Sequence, residues 1–263
     1  MAKISLRVTA LTYLLFLLVL PVGVICWRTF DQGLAAFWQA LTSPEALHAL
    51  QITVVVAVPA VLLNTVFGLG TAILLVRHKF WGKSALNALI DLPLAVSPVV
   101  AGLALVLVYG RFTPVGTWFY DHGVQVIYAL PGMILATVFV SLPLVVRAVA
   151  PVVEEIGIEQ EQAAWTLGAT SVQTFRRVTI PAIRWALAYG MVLALARSLG
   201  EFGSVAVVSG NISGQTQTAS LFVQDAFDNY NQQAAYAVAF VLAVMAVTSL
   251  LLIQLLRPKE SRR

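Results

Sequence analysis

Apolar positions along this chain gather into six long runs, at about 8–27, 52–76, 92–109, 127–147, 182–208 and 234–256. Each approaches the roughly 20 residues a helix needs to cross a hydrocarbon core about 30 Å thick. A lipid-facing strand or loop at that depth would leave its backbone polar groups without partners. The pattern therefore predicts an all-α fold, a polytopic bundle of six transmembrane helices. No Pro-, Gly- or Ser-rich linker divides the chain, so one membrane domain over residues 1–263 is expected. The first run follows Lys3 and Arg7 as a signal peptide would. Its length, and the lack of an A-x-A site after it, predict a retained helix instead.

Composition agrees and adds orientation. Charged residues make up 11% of the chain, against about 25% in soluble domains. The net charge of +4 is distributed unevenly over the six-span scheme. Lys3, Arg7, Arg77, Lys79, Lys83, Arg147, Arg176, Arg177, Arg184, Arg257, Lys259, Arg262 and Arg263 fall on one side, and only Arg28 and Arg111 on the other. Such a bias predicts that the basic side, with both termini, faces the cytoplasm. Basic character here reports orientation, and no nucleic acid partner is expected. The single Cys26 rules out an intramolecular disulfide and reads as a packing residue. The expected outer loops, 28–51, 110–126 and 209–233, carry Phe30, Phe37, Trp38, Trp118, Phe119 and Tyr120, aromatics suited to the interface with lipid.

Prolines punctuate two runs. Asp91 stands just before Leu92-Pro93 and is expected to cap the third span near its cytoplasmic face. Pro98 should then lie inside that helix and loosen it, as a moving permeation path could use, and Pro143 reads similarly in the fourth.

Between the fourth and fifth runs the chain turns polar, with Glu154, Glu155, Glu159 and Glu161 followed by Arg176, Arg177 and Arg184. Local chemistry predicts a short helix over 159–167 with acids in its first turn, where the helix dipole favours them. Gly168 supplies a left-handed end. Thr170-Ser171-Val172-Gln173 is a capping box that opens a second short helix, and Pro181 is placed to start the fifth span. The expected product is two short helices hinged at glycine, presenting Ala163, Ala164, Leu167 and Ala169. Helix, glycine and proline cues alone fit a docking surface and a plain interfacial turn equally well.

A second charged feature lies within the fifth run, at Arg197-Ser198-Leu199-Gly200-Glu201. Intramembrane ionisable residues usually face a bundle interior or a watery path. Arg197 and Glu201 are four apart and are expected to pair on one helix face. A structural ion pair and a path-lining or gating pair suit them equally. Arg197, Ser198, Gly200 and Glu201, with Pro98, are the candidates for the translocation path. His48, His78 and His122 have no metal-site spacing. The chain holds no G-x-x-x-x-G-K-[ST] loop for ATP phosphates.

The complete spacing of Glu161, Gln162-Ala163-Ala164, Gly168 and Val178-Thr179-Ile180-Pro181 resembles the EAA loop by which membrane subunits of bacterial ABC importers dock onto a separate ATPase. The leading Glu of that pattern stands as Gln162 here, with Glu161 just before it. From about residue 50 to 255 the chain resembles the type I ABC importer permeases, with the coupling loop at about 154–181. The segment ARSLGEFGSVAVVSGNISGQTQTASLFV (196–223) resembles the sulfate/thiosulfate permeases of the CysW type.

That resemblance implies a permease subunit in the bacterial inner membrane, moving sulfate or thiosulfate from periplasm to cytoplasm by alternating access. It gives Glu161, Gln162, Ala163, Ala164, Gly168, Val178, Ile180 and Pro181 the role of coupling to the ATPase. It implies as partners a sister sulfate permease, a pair of ABC ATPase subunits and a periplasmic sulfate-binding protein. No cofactor is expected on this chain, ATP and Mg belonging to the ATPase. Alternatives are a molybdate/tungstate or other oxyanion permease and a secondary anion transporter. A membrane enzyme would need a cluster of nucleophile, base or metal ligands at one face, and no such cluster shows in the sequence.

Overall fold

Every regular element among the described residues is helical, in accord with the hydropathy pattern. The computed structural model describes residues 6, 9, 12, 13 and 15–256, except the side chains at 18, 250 and 253–256. Lys3, Arg7, much of the start of the first apolar run, and the basic tail with Arg257, Lys259, Arg262 and Arg263 lie outside the described residues.

A π turn at Leu15–Val19 leads into α1 (Leu20–Phe30), followed by α2 (Leu34–Leu41) and the long α3 (Pro44–Arg77). Helix α3 starts eight residues before the expected span. Ser43 accepts the Ala46 N–H, Pro44 sits in the first turn where no N–H is needed, and Glu45 complements the dipole. Its 34 residues make it about 51 Å long, so it projects well beyond a hydrocarbon core. Next come α4 (Lys83–Ala95), α5 (Pro98–Tyr109), α6 (Pro114–Asp121) and α7 (Leu130–Ile156), which runs through Pro143 and Pro151. The chain closes with α8 (Glu159–Thr166), α9 (Ser171–Leu199), α10 (Gly203–Ser209), α11 (Ala219–Asp228) and α12 (Gln232–Leu256). Helices α2, α6 and α11 occupy the stretches expected to be outer loops.

Four helices are long and apolar enough to cross a bilayer, and two bent pairs raise the number of passages to as many as six. The core lies where α3, α7 and α9 pack together. Val61 and Leu75 meet Val145, Val146, Val149 and Val153 of α7, with Ile183 and Ala194 of α9. Small residues allow this close approach: a Cβ on Gly68 would fall 2.9 Å from Val145 Cγ1, and one on Gly190 3.1 Å from Ala148 Cβ. Close contact of this kind is what joins helices in lipid, where apolar burial alone offers little gain. A second cluster joins Ala46 and Ala49 of α3 to Phe222 of α11 and Ala235 of α12.

Two expected spans are broken. The third run is not one helix over 92–109 with Pro98 inside it. Helices α4 and α5 meet at 115°, and Pro98 opens α5. Val96 and Ser97 are extended (ψ 140° and 135°), Ser97 because the ring of a proline pushes the residue directly before it out of the helical region. Asp91 is likewise not a cap. It lies inside α4, and its carboxylate accepts hydrogen bonds from Arg147 Nε (2.8 Å) and Nη2 on α7. The fifth run begins at Ser171 and stops at Leu199, leaving Gly200–Phe202 as a break before α10.

Candidate coupling corner and translocation path

Gly157 (φ +67°) ends α7 and turns the chain into α8, whose first turn holds Glu159 and Glu161. The corner after α8 is closed by backbone and cap hydrogen bonds. Gly168 (φ +82°) donates to Trp165 O at 2.9 Å, and Ala169 N to Ala164 O at 3.0 Å. This is the paired closure typical of a glycine-ended helix. Thr170 then caps α9: its hydroxyl accepts the Gln173 N–H while Gln173 Oε1 accepts the Thr170 N–H. The corner is therefore stiff at both ends.

Its outer face is apolar and bare. Leu167 is 88% exposed, and Trp165 and Val172 are also exposed. Gln162 and Ala163 are exposed as well, whereas Ala164 and Ala169 are partly covered. The sequence pattern pointed to the small residues and missed Trp165 and Val172. A tryptophan in a short polar helix was the available signal.

Glu161 faces the opposite way. Its Oε1 accepts the Thr179 hydroxyl at 2.8 Å and lies 3.3 Å from Arg77 Nη2, at the last residue of α3. Val178 and Ile180 are half-buried in α9, away from the corner. Pro181 sits in the first turn of the α-helical segment Ile180–Leu199, as expected, but the continuous helix α9 begins earlier, at Ser171. The helix passes through it on a π turn, Phe175–Thr179, in which the Ile180 N–H bonds five residues back to Phe175 O. A wider turn of this kind accommodates the missing proline N–H without breaking the helix.

At the far end of α9 the structure brings the other candidates together. Arg197 Nη1 lies 2.6 Å from Glu201 Oε2, with side-chain exposures of 36% and 2%. The pair forms as expected but not on one helix face, since Glu201 lies past the end of α9. Its other oxygen, Oε1, accepts the Ser204 N–H (3.0 Å) and hydroxyl (2.7 Å), satisfying donors at the start of α10. Gly200 is exposed. Pro98 stands opposite this break, for a Cβ on Gly203 would fall 3.0 Å from Pro98 Cβ. Two interrupted helices thus face each other. Irregular backbone at membrane depth is tolerated only inside protein or beside a watery cavity.

Beside this break a polar knot ties three helices. Asn64 Nδ2 of α3 donates to Ser141 Oγ of α7 at 2.7 Å, and Ser198 Oγ of α9 lies 3.5 Å from the same oxygen. Asn64 is fully buried. Sequence reasoning missed Asn64 and Ser141, because nothing local marks a polar residue whose partner lies 77 positions away. Among the described residues no group of three or more His, Cys, Asp or Glu could hold a metal ion.

Comparison with known proteins agrees with this geometry. Residues 64–262 match the family model described as "Binding-protein-dependent transport system inner membrane component". The chain is 48% identical to the sulfate transport system permease protein CysW of Synechocystis sp. (98% of this chain, 93% of that one). It is 38% identical to the sulfate transport system permease protein CysT of the same organism (95% of this chain, 87% of that one). A crystal structure of a bacterial alginate ABC transporter, in complex with its oligosaccharide-bound periplasmic protein, has a chain of the same fold. Its TM-score is 0.75 at 17% identity, over 97% of this chain and 92% of that one. A multi-pass membrane protein with two facing helix breaks and this match over most of its length belongs to the inner-membrane components of binding-protein-dependent transport systems.

Proposed function

We propose that this chain is one of two membrane subunits of an ATP-driven sulfate importer, with thiosulfate as a candidate second substrate. The observation that carries the substrate is the 48% identity to a sulfate permease over 98% of the chain. The likeness to CysT supports a sister subunit of that kind as the partner. A periplasmic binding protein would deliver the anion, as the alginate transporter's complex illustrates for its own substrate.

The bare corner of Trp165, Leu167 and Val172 is the surface we assign to the ATPase, with Gln162, Ala163 and Gly168 shaping it. Hydrolysis takes place on that separate chain. The basic bias of the sequence supports a cytoplasmic position for α8 and both termini. Arg197, Ser198, Gly200, Glu201 and Pro98 are assigned to the path or its gate, where Arg197 keeps an open face that attracts a divalent anion. When ATP closes the ATPase dimer, the stiff corner moves and the path opens alternately to either side.

Complementation tests the substrate. Expressed in a bacterium lacking its own permease of this type, the chain is expected to restore growth on sulfate as sole sulfur source. Rescue of molybdenum-dependent growth without rescue on sulfate would replace sulfate with molybdate.

A further inference from the structure

We infer that Glu161 acts inside the permease, as the positioning residue through which helix α8 grips the membrane helices α3 and α9. This deepens the docking proposal and rests on it. Helix α8 has no buried residue and only Ala164 among its apolar side chains is partly covered, so its apolar hold on the bundle is slight. A helix that must pass on a push needs a firmer one, and the described contacts supply it at Glu161. One carboxylate oxygen holds both the Thr179 hydroxyl at 2.8 Å and Arg77 Nη2 at 3.3 Å. The Arg77 and Glu161 side chains are only 12% and 14% exposed, so solvent screens the pair little. Both ends of the knot sit at mechanically significant points. Arg77 is the last residue of α3, and Thr179 closes the π turn of α9. Such turns recur at functional points in helices.

Beyond this knot, α3 carries Asn64 and α9 carries Ser198, the two residues that meet at Ser141 beside the Arg197–Glu201 break. A displacement of α8 therefore enters two helices that converge again at the proposed gate. Gln162 and Ala163, next along α8, remain exposed for the ATPase. Glu161 and its neighbours thus divide the work: the neighbours receive the push and Glu161 passes it on.

The test uses the complete complex in proteoliposomes, reading ATPase co-purification and sulfate transported per ATP hydrolysed. Arg77→Gln and Glu161→Gln are each expected to keep the ATPase bound while lowering that ratio about five- to tenfold. The exchange Arg77→Glu with Glu161→Arg should recover about half of the loss, because it restores the charge pair. Wild-type ratios in both single variants overturn the proposal. Loss of ATPase binding in Glu161→Gln also overturns it, by making Glu161 a docking residue. If either variant fails to accumulate, Thr179→Val decides by the same ratio. It removes one hydroxyl donor, is expected to lower the ratio about twofold, and overturns the proposal if the ratio is unchanged. Leu167→Asp, run in parallel, tests docking itself: an ATPase still bound to that variant sinks the docking proposal, whatever Arg77 and Glu161 do.

Discussion

Glu201 shows how one carboxylate can join two helices. One oxygen satisfies donors at the start of α10 and the other pairs with the end of α9. Its burial makes the two partners unequal. Arg197→Gln leaves an almost fully buried carboxylate without its cation, at a cost of about 3–5 kcal/mol. Glu201→Gln keeps an acceptor for Ser204 and leaves a cation whose long stem can carry it toward water. Folded protein in the membrane should therefore fall much further for Arg197→Gln than for Glu201→Gln, and adding the second change to the first should restore it. Membrane abundance and thermal unfolding of the three purified variants check this, and equal losses in the two single variants would contradict it. The spacing of four was legible in the sequence as a pair. The helix end between the partners was not, because Gly200, Gly203 and Ser204 also suit close packing within a continuous helix. Asp91 misled for a related reason: its arginine lies 56 positions away, so the sequence favoured a local explanation, a cap near the membrane face.

At the scale of elements, what was local was legible. Helix α8, the left-handed Gly168 and the capping box at Thr170 depend on neighbours within a few residues, and each is found where the pattern placed it. Pro181 and Pro98 were legible as irregularities but not as to kind. A π turn absorbs Pro181, whereas a bend of 115° lies just before Pro98. Which outcome occurs depends on what packs around the proline. The α8–α9 junction gives a clean test of conformation against contact. A Cβ at Gly168 would meet nothing within 4 Å, so substitution there is opposed by backbone alone, at roughly 1–2 kcal/mol for a residue forced into the left-handed region. Asn visits that region readily and Val does not. Gly168→Asn should keep sulfate-stimulated ATP hydrolysis near the wild-type rate, while Gly168→Val should lose most of the stimulation although the protein still inserts. Equal stimulation in the two would show that the corner's shape is not what couples.

At the scale of the whole molecule, the six runs foretold the helical class, and the structure accommodates up to six passages, but the runs did not foretell their continuity. Four helices are long and apolar enough to cross unbroken, while any further passages exist only as bent pairs. The sites lie at opposite ends of α9, with the bare corner before it and the Arg197–Glu201 break after it. A machine driven at one end and opened at the other needs such a continuous rod between them. The most direct measurement is uptake of radiolabelled sulfate by proteoliposomes holding this chain, the sister permease, the ATPase pair and the binding protein. Uptake is expected only with ATP on the α8 side and binding protein on the other, and a proton gradient should not replace ATP. Sulfate uptake driven by a proton gradient without ATP would contradict an ATP-driven importer; ATP-driven uptake that ignores sulfate in favour of another oxyanion would contradict the substrate.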